Sequence, residues 1–401
     1  MCALWSGSGA GASGRDDTID AFMRGEDPEL DHQLIPYDLT GTAAHVRCLG
    51  RAGVLKADDV ATLTAALQQL RERYDRGEFT LRPDHEDCHT AIEEALTDAH
   101  GELGKRVHTA RSRNDQVLTA LRLFALDRLR AIAGGADRLA AAFEARAVEA
   151  GQLIMPGYTH GQPAMPLPVE TWARSFRDAL ADDRLVIAAA VECLDQSPLG
   201  SAAGFGPPIP LDRAGSATDL GFARVQHNPV YCQQSRAKFE ALALTACAQV
   251  CWTMAQFAAD GLLFHSRAYG FIHLPDELTT GSSLMPNKRN PDVLELLRAL
   301  HAHVEGHAAT IRMLGVRLPS GYHRDFQATK RAFLSGLEQT AAGVEVCRRV
   351  VERLTFDADA MTAACGPEIQ ATARAHQLVV EQGMAFRDAY RQVKDELFGS
   401  K

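Results

Sequence analysis

Four stretches of the chain concentrate reactive and hydrogen-bonding side chains. The first is His108-Thr109-Ala110-Arg111-Ser112-Arg113-Asn114-Asp115-Gln116. Forked guanidinium donors beside Ser and Asn suit carboxylate recognition. The same residues suit a helix start near Asp115, with Ser112 or Asn114 as its N-cap. Both can hold, because a helix N-terminus is itself an anion site. The second is Gly157-Tyr158-Thr159-His160-Gly161-Gln162-Pro163. Histidine moves protons near neutral pH, and His160 lies in a Pro-flanked turn beside Thr159. The alternative is a solvated loop histidine.

The third stretch runs from Thr279 to Asp292 and contains Gly281-Ser282-Ser283-Leu284-Met285-Pro286-Asn287-Lys288-Arg289-Asn290-Pro291. It reads as a surface loop before a Pro-Asp helix start. It also reads as a lid that carries a nucleophile or base (Ser282 or Ser283) and the cation Lys288 onto a bound anion. The fourth, from Pro319 to Lys330, could turn into a helix after Gly321 and converge Tyr322, Gln327 and Lys330 on a polar ligand. A solvated helix start is its other reading.

Other chemistries lack their spacing. The loop has no Gly-x4-Gly-Lys pattern, so it is not a phosphate loop. There is no HExxH, no paired-Cys spacing, no GxSxG and no dinucleotide GxGxxG. No metal reading survives these spacings. His301, His303 and His307 are close in sequence but lack an accompanying carboxylate arrangement.

The elements that must position these groups follow from proline placement. No proline falls in 84–155, 169–197, 230–274, 292–318 or 320–366. Proline breaks helix interiors, so these spans are where long helices can form. Apolar steps of three and four agree, as in Leu118, Leu121, Ala125, Leu129 and Ile132, and again in Phe239, Leu242, Ala246, Val250, Met254 and Phe257. Alternating strand patterns are scarce. The pattern predicts an all-α fold with long helices in a central bundle, their broad apolar faces packed also between subunits. Three regions are expected: 1–105, helical with irregular loops; 106–355, the long helices; and 356–401, a short helical tail. The Gly/Ser-rich stretch 6–14 reads as low-complexity, with Trp5 as an anchor.

Composition limits the functional classes. The chain has 401 residues, 46% hydrophobic and 23% charged, an ordinary globular mix rather than a disordered or collagen-like one. A net charge of −9 argues against a general nucleic-acid binder. No run approaches the roughly 20 apolar residues of a membrane span. The start lacks the charged and apolar regions of a signal peptide. Nine scattered cysteines without a CxxC pair read as a reduced, cytoplasmic protein.

The loop 281–292 resembles the GSSxMPxKxNP signature of the fumarase/aspartase superfamily. Within it, HTARSRNDQ at 108–116, YTHGQP at 158–163 and the TAIEEAL run after His89 resemble the argininosuccinate lyase and δ-crystallin family. The likeness extends from about Leu4 to about Lys394. It implies an all-α homotetramer with a 20-helix core, whose active sites each take residues from three subunits. It implies elimination of fumarate from argininosuccinate, a small-molecule substrate, without cofactor, nucleic acid or membrane. By position, Ser282 matches the family's catalytic base, His160 its acid–base histidine, and Glu295 the carboxylate that orients it. Lys288 and Asn290 match residues that bind the fumarate-side carboxylates. Ser112, Arg113, Asn114 and Thr159 match substrate-binding positions, and His89 an active-site histidine. Tyr322, Gln327 and Lys330 match residues that hold the remote part of the substrate.

Some positions depart from the pattern. The segment from Asn228 to Arg236 keeps only those two residues of the common NSLDAVSDR. Asp27 or a neighbour stands where many members place a substrate-contacting serine. Gly161 replaces a bulkier residue, and the tail is trimmed after Phe386-Arg387-Asp388. Two other readings therefore stand beside the first: a sister lyase that releases fumarate from another N-substituted aspartate, and a catalytically silent structural tetramer.

Overall fold

The computed structural model describes residues 16–82 and 85–399. The Gly/Ser-rich start and Trp5 lie outside the described residues. The chain is all-α, as its proline spacing predicts. Six helices precede and begin the long ones: α1 (Asp17–Arg24), α2 (Asp27–Asp31), α3 (Ile35–Arg51), α4 (Ala57–Asp75), α5 (Cys88–His100) and α6 (Glu102–Lys105). Then follow α7 (Arg113–Ala150), α8 (Val169–Leu194), α9 (Arg213–Asp219), α10 (Pro229–Gln234), α11 (Lys238–His265), α12 (Asp292–Gly315) and α13 (Thr329–Arg353). The tail holds α14 (Ala358–Ala364), α15 (Ala371–Gln382) and α16 (Phe386–Phe398). The long helices α7, α8, α11, α12 and α13 each begin where a proline-free span permits.

One element is not legible in the pattern. Strands β1 (Ile154–Thr159) and β2 (Gln162–Pro168) form an antiparallel hairpin with Thr159 opposite Gln162. Pro156, Pro163, Pro166 and Pro168 suppress the usual strand signature. A two-stranded ribbon tolerates them, because half of its backbone N–H groups face outward. Pro156 pairs with Pro166, so the missing donors coincide.

Contacts divide the chain into two compact units. The first comprises residues 1–131, 186–247 and 303–339. In it α3 packs on α4 through Leu39, Val46, Leu49, Leu63 and Leu67, all buried. Gly104 in α6 lies against the backbone of α5: a Cβ there would sit 2.3 Å from the Leu96 carbonyl oxygen. The buried Arg122 of α7 donates to the Gln196 carbonyl at 2.7 Å and to Ser235 Oγ at 2.6 Å. Its guanidinium also lies 5.1 Å from the Phe239 ring centroid. One side chain thus fixes α7 to the start of α11.

The second unit comprises residues 132–185, 248–302 and 340–401. Its core is aromatic: Phe143, Trp172, Phe176, Phe257 and Phe264 meet edge to face or tilted. Trp172 Nε1 donates to Asp260 at 2.9 Å, so the indole is buried without an orphan donor. Gly343 on α13 permits close approach to α12, since a Cβ would meet Leu300 at 2.2 Å. The hairpin of α15 and α16 closes on Ala375, Leu378, Ala389 and Val393.

Among the described residues one helix, α11, is long and apolar enough by length and composition to cross a membrane. Its most apolar window is 67% buried, which is how a core helix behaves. Thr245, Gln249, Thr253 and Gln256 interrupt any continuous apolar run.

Replacing Gly104 by Ala should cost about 1–3 kcal/mol, because the obstructing atoms are backbone and cannot rotate away. A lower urea midpoint checks this; an unchanged midpoint would show that α5 and α6 separate freely.

Candidate active site

In the first unit, α7 starts as its sequence suggests. Ser112 Oγ accepts from Asn114 N at 3.3 Å, and Asp115 Oδ1 accepts from Ser112 N at 3.1 Å. This is a reciprocal cap that fixes Ser112, Arg113 and Asn114 on the first turn. The other oxygen of the buried Asp115 accepts from the backbone of Gly200 at 3.0 Å and Ala202 at 2.9 Å. The helix start is therefore locked to a distant loop rather than left solvated.

Behind it lies a buried carboxylate, Asp38 on α3. His89 Nδ1 is 2.8 Å from Asp38 Oδ2. Gln116 Nε2 donates to the same carboxylate at 3.0 Å, and Arg111 Nη2 lies at 3.6 Å. Arg111 also donates to Thr42 Oγ1 at 2.8 Å. Burial alone would raise the Asp38 pKa, but His89 and Arg111 overcome it and hold the carboxyl below its ordinary range. Burial likewise opposes protonation of His89, and Asp38, Asp87 and Asp31 overcome that and hold it above its ordinary value.

Arg113 points to the start of α5. Its Nη1 lies 3.1 Å from both Glu86 Oε1 and Asp87 Oδ2. Asp87 is the N-cap of α5 and accepts from Thr90 N at 2.8 Å. The residues on the fourth stretch join this group. Lys330, 5% exposed, bridges Asp31 Oδ1 at 2.6 Å and Asp27 Oδ1 at 2.9 Å. Burial would lower its pKa, but the two carboxylates overcome this and raise it. Gln327 Nε2 donates to the carbonyls of Met23 at 3.1 Å and Arg24 at 2.8 Å, and its Oε1 accepts from Arg324 Nε at 3.0 Å. Tyr322 is partly exposed and its ring lies 6.2 Å from that of Phe326.

The first unit thus gathers His89, Ser112, Arg113, Asn114, Gln327 and Lys330 into one polar network, and Tyr322 meets Phe326 and the Arg236 guanidinium through its ring. Asp31, Cys88 and His89 are close enough together to resemble a metal triad. Both oxygens of Asp31 are engaged, Oδ1 with Lys330 and Oδ2 with Cys88 N at 3.2 Å, and His89 Nδ1 lies 2.8 Å from Asp38. An ion there would also face the Lys330 ammonium.

In the second unit Thr159, His160, Lys288 and Glu295 are exposed, whereas Ser282 and Asn290 are half-buried. His160 and Gly161 form the two-residue turn between β1 and β2, with φ of 54° and 70°. Positive φ at both positions is the type I′ hairpin turn, which glycine adopts without strain. Nothing lies within 4 Å of where a Gly161 Cβ would be, so its φ is the requirement there. Thr159 precedes the tip, and the ribbon holds His160 out into solvent.

The loop 281–290 is pinned at its base, where Thr280 pairs with Asn290 and Gly281 with Arg289. Thr280 Oγ1 also donates to Asp292, the first residue of α12. Ser282 Oγ accepts from two backbone N–H groups, Leu284 at 3.3 Å and Met285 at 3.0 Å. Lys288 and Glu295 are exposed. Among the described residues, neither Lys288, Glu295 nor His160 has a side-chain ion pair or hydrogen bond within the chain.

Several members of this network escape motif reading. Asp31, Asp38, Glu86, Asp87 and Arg111 belong to it, and only Arg111 lies in one of the four stretches. Their signal would have been the buried side of an otherwise ordinary polar segment, and that is visible only in three dimensions.

The comparisons with known proteins follow from this geometry. A family model described as lyase matches residues 18–306. Among solved structures, an EDDS lyase variant with bound fumarate superposes with a TM-score of 0.79 at 22% identity. It covers 95% of this chain and 76% of that one. A class II fumarase from Schistosoma mansoni gives 0.76 at 15% identity, covering 90% and 87%. These likenesses carry the fold, a helical bundle used by lyases. An argininosuccinate lyase of Sorangium cellulosum is 45% identical over 394 residues, 98% of this chain and 90% of that protein. One from Thermotoga neapolitana is 41% identical over 386 residues, 95% and 96%. The chain belongs to the argininosuccinate lyase family.

The His89–Asp38 pair sets a pH dependence. A histidine held above its ordinary 6.5 stabilises the fold fully below that value, and the contribution is lost as pH rises through the folded pKa. Asp38, held below its ordinary 3.8, contributes above that value and loses it as pH falls through the folded pKa. His89→Gln should therefore flatten the decline of Tm on the alkaline side of pH 6.5. Thermal unfolding at stepped pH checks this, and an unchanged slope would remove His89 from the ion pair.

Proposed function

We propose that this protein is an argininosuccinate lyase, which eliminates fumarate from argininosuccinate and leaves arginine. Besides the family membership, the observation that carries the mechanism is the setting of Ser282. Its oxygen accepts two backbone N–H bonds on an exposed, pinned loop. Donors aimed at an oxygen favour its ionised form. A neutral serine is a weak base, and such donors are what ionisation requires.

The reaction removes a weakly acidic proton next to a carboxylate. The carbanion spreads its charge onto that carboxylate, so fixed cations and donors there lower the barrier most. We assign Ser282 to proton removal and Lys288 with Asn290 to the carboxylates of the fumarate half. His160, oriented by Glu295, supplies or relays the proton that the leaving guanidino nitrogen needs. Thr159, Ser112, Arg113 and Asn114 bind substrate, and His89 supports them from behind through Asp38. Tyr322, Gln327 and Lys330 serve the remote half. Closure of the loop over the bound dianion would exclude water and strengthen each of these contacts.

We further propose a homotetramer whose active sites draw on three subunits. The exposure of His160, Lys288 and Glu295 supports this, since each is a group whose work requires a partner. In that assembly the regions 1–105, 106–355 and 356–401 act as three domains, with the long helices of the middle one in the shared core. The described cysteines are free thiols, which fits the cytoplasm. The altered segment from Asn228 to Arg236, together with Asp27, supports a second reading: release of fumarate from another N-substituted aspartate.

Ultraviolet absorbance of fumarate, followed on purified protein with argininosuccinate, tests the reading. No signal from the intact assembly would move the substrate to another aspartate adduct. Ser282→Ala should lower kcat by roughly 100-fold or more, the size of a lost acid–base contribution. Retention of more than a few per cent of kcat would take Ser282 out of the base role. Mixed tetramers of Ser282→Ala and His160→Ala subunits, reassembled after dissociation, should regain part of the activity. A verified mixture without recovery would count against shared sites.

A further inference from the structure

Among the described residues four other than glycine take a left-handed φ, and one of them, Ala110 at 59°, stands two positions before Ser112. Thr109, just before it, has φ of −56° and ψ of 132°. Arg111 N donates to the His108 carbonyl at 3.2 Å across the pair. These angles and this bond define a type II β-turn over His108–Arg111, with Ala110 at the position that ordinarily takes glycine. A Cβ there crowds the backbone, so alanine favours the type I turn, in which the same residue has a negative φ. The two turns share the closing bond and differ by a flip of the peptide between Thr109 and Ala110. The closing bond therefore does not select between them.

His45 on α3 does. Its Nε2 lies 2.9 Å from the Thr109 carbonyl oxygen, which belongs to the peptide that would flip. The side chain is 1% exposed, and burial together with the Arg111 charge holds its pKa down to about 3. The ring is therefore neutral at any working pH. A carbonyl only accepts, so Nε2 carries the proton. In the type I orientation the carbonyl would turn away and leave this buried donor unpaired, which opposes the flip. The same face of α3 grips the next residue. Arg111 donates to Thr42 Oγ1 at 2.8 Å and lies 3.6 Å from Asp38. Asp38, Thr42 and His45 are spaced by four and three residues, which puts them on one side of the helix.

We infer that His45 is a positioning residue: it holds the 109–110 peptide in the type II orientation and so fixes the direction in which Ser112, Arg113 and Asn114 start α7. The strain at Ala110 is confined to one residue. What it secures is a set of binding groups already arranged when substrate arrives. The effect of His45 on turnover rests on the reading of the protein as an argininosuccinate lyase; its hold on the turn does not.

The test takes two readouts on the assembled enzyme. Crystal structures of the variants without substrate show the orientation of the 109–110 peptide directly. Fumarate release from argininosuccinate gives kcat and KM. His45→Leu should show the flipped peptide and a KM raised roughly 3- to 10-fold, the weight of one net hydrogen bond, with kcat within about twofold. His45→Gln keeps an N–H donor on a side chain of similar reach, and should keep the type II turn and the wild-type KM. Adding Ala110→Gly to His45→Leu should restore the type II turn and recover most of the KM, because glycine takes this φ without strain. A general loss of packing would not be repaired in that way. Ala110→Val leaves His45 intact and opposes the turn from its other side, so it should raise KM likewise; it carries the test if His45→Leu does not assemble. A type II turn retained in His45→Leu, a wild-type KM in Ala110→Val, or a glycine that recovers nothing would each overturn the role of His45. Absence of fumarate release by wild type would instead overturn the assigned reaction, and the crystallographic comparison would still decide the turn.

Discussion

A carboxylate with no access to water organises the first unit. Asp38 is 1% exposed, and its charge can persist there only if it is paired and hydrogen-bonded. Its partners come from three places in the chain: His89 on α5, Arg111 just before α7, and Gln116 within α7. Satisfying this one group therefore fixes α3, α5 and the start of α7 against one another. Removing a partner from such a group typically costs about 3–5 kcal/mol, which makes the arrangement close to all-or-none. Ser112, Arg113 and Asn114 inherit their positions from it, and so does Asp87 through Arg113.

A second clamp repeats the logic at the other end of the network. Lys330 draws Asp27 and Asp31 to the start of α13, and Gln327 and Arg324 hold the carbonyls of Met23 and Arg24 beside them. The residues that would hold the remote part of a substrate are thus already occupied with the segment around α2. Lys330 is thereby paired with Asp27 and Asp31 rather than left as a free cation.

The groups proposed for catalysis in the second unit are built on the opposite principle. His160 stands at the tip of a hairpin, and Ser282 on a loop tied only at its base by the pairing of 280–281 with 289–290. These groups are displayed rather than packed. Their positions are set by backbone geometry, through the positive φ of the turn and the short ladder under the loop.

The sequence by itself determined the fold class, the places where long helices form and the chemical nature of the loops. Proline cannot be accommodated in a helix interior, so its spacing marks the five long helices directly. Ser112 could be read as a cap because capping is local, settled within four residues. The signature loop from Gly281 to Asp292 was legible for the same reason: its chemistry lies in one contiguous run. The tertiary structure decided what depends on long-range partners. That Lys330 holds Asp27 and Asp31, that Arg236 lies over Tyr322 and Phe326, and that Asp38 lies behind His89 are facts about residues far apart in the chain. The hairpin carrying His160 was hidden for a related reason, since its prolines are tolerated only on the outward side of a pairing. Charge pairing in a buried site is decided by which groups folding brings within a few ångströms, and residue type alone carries no information about that distance.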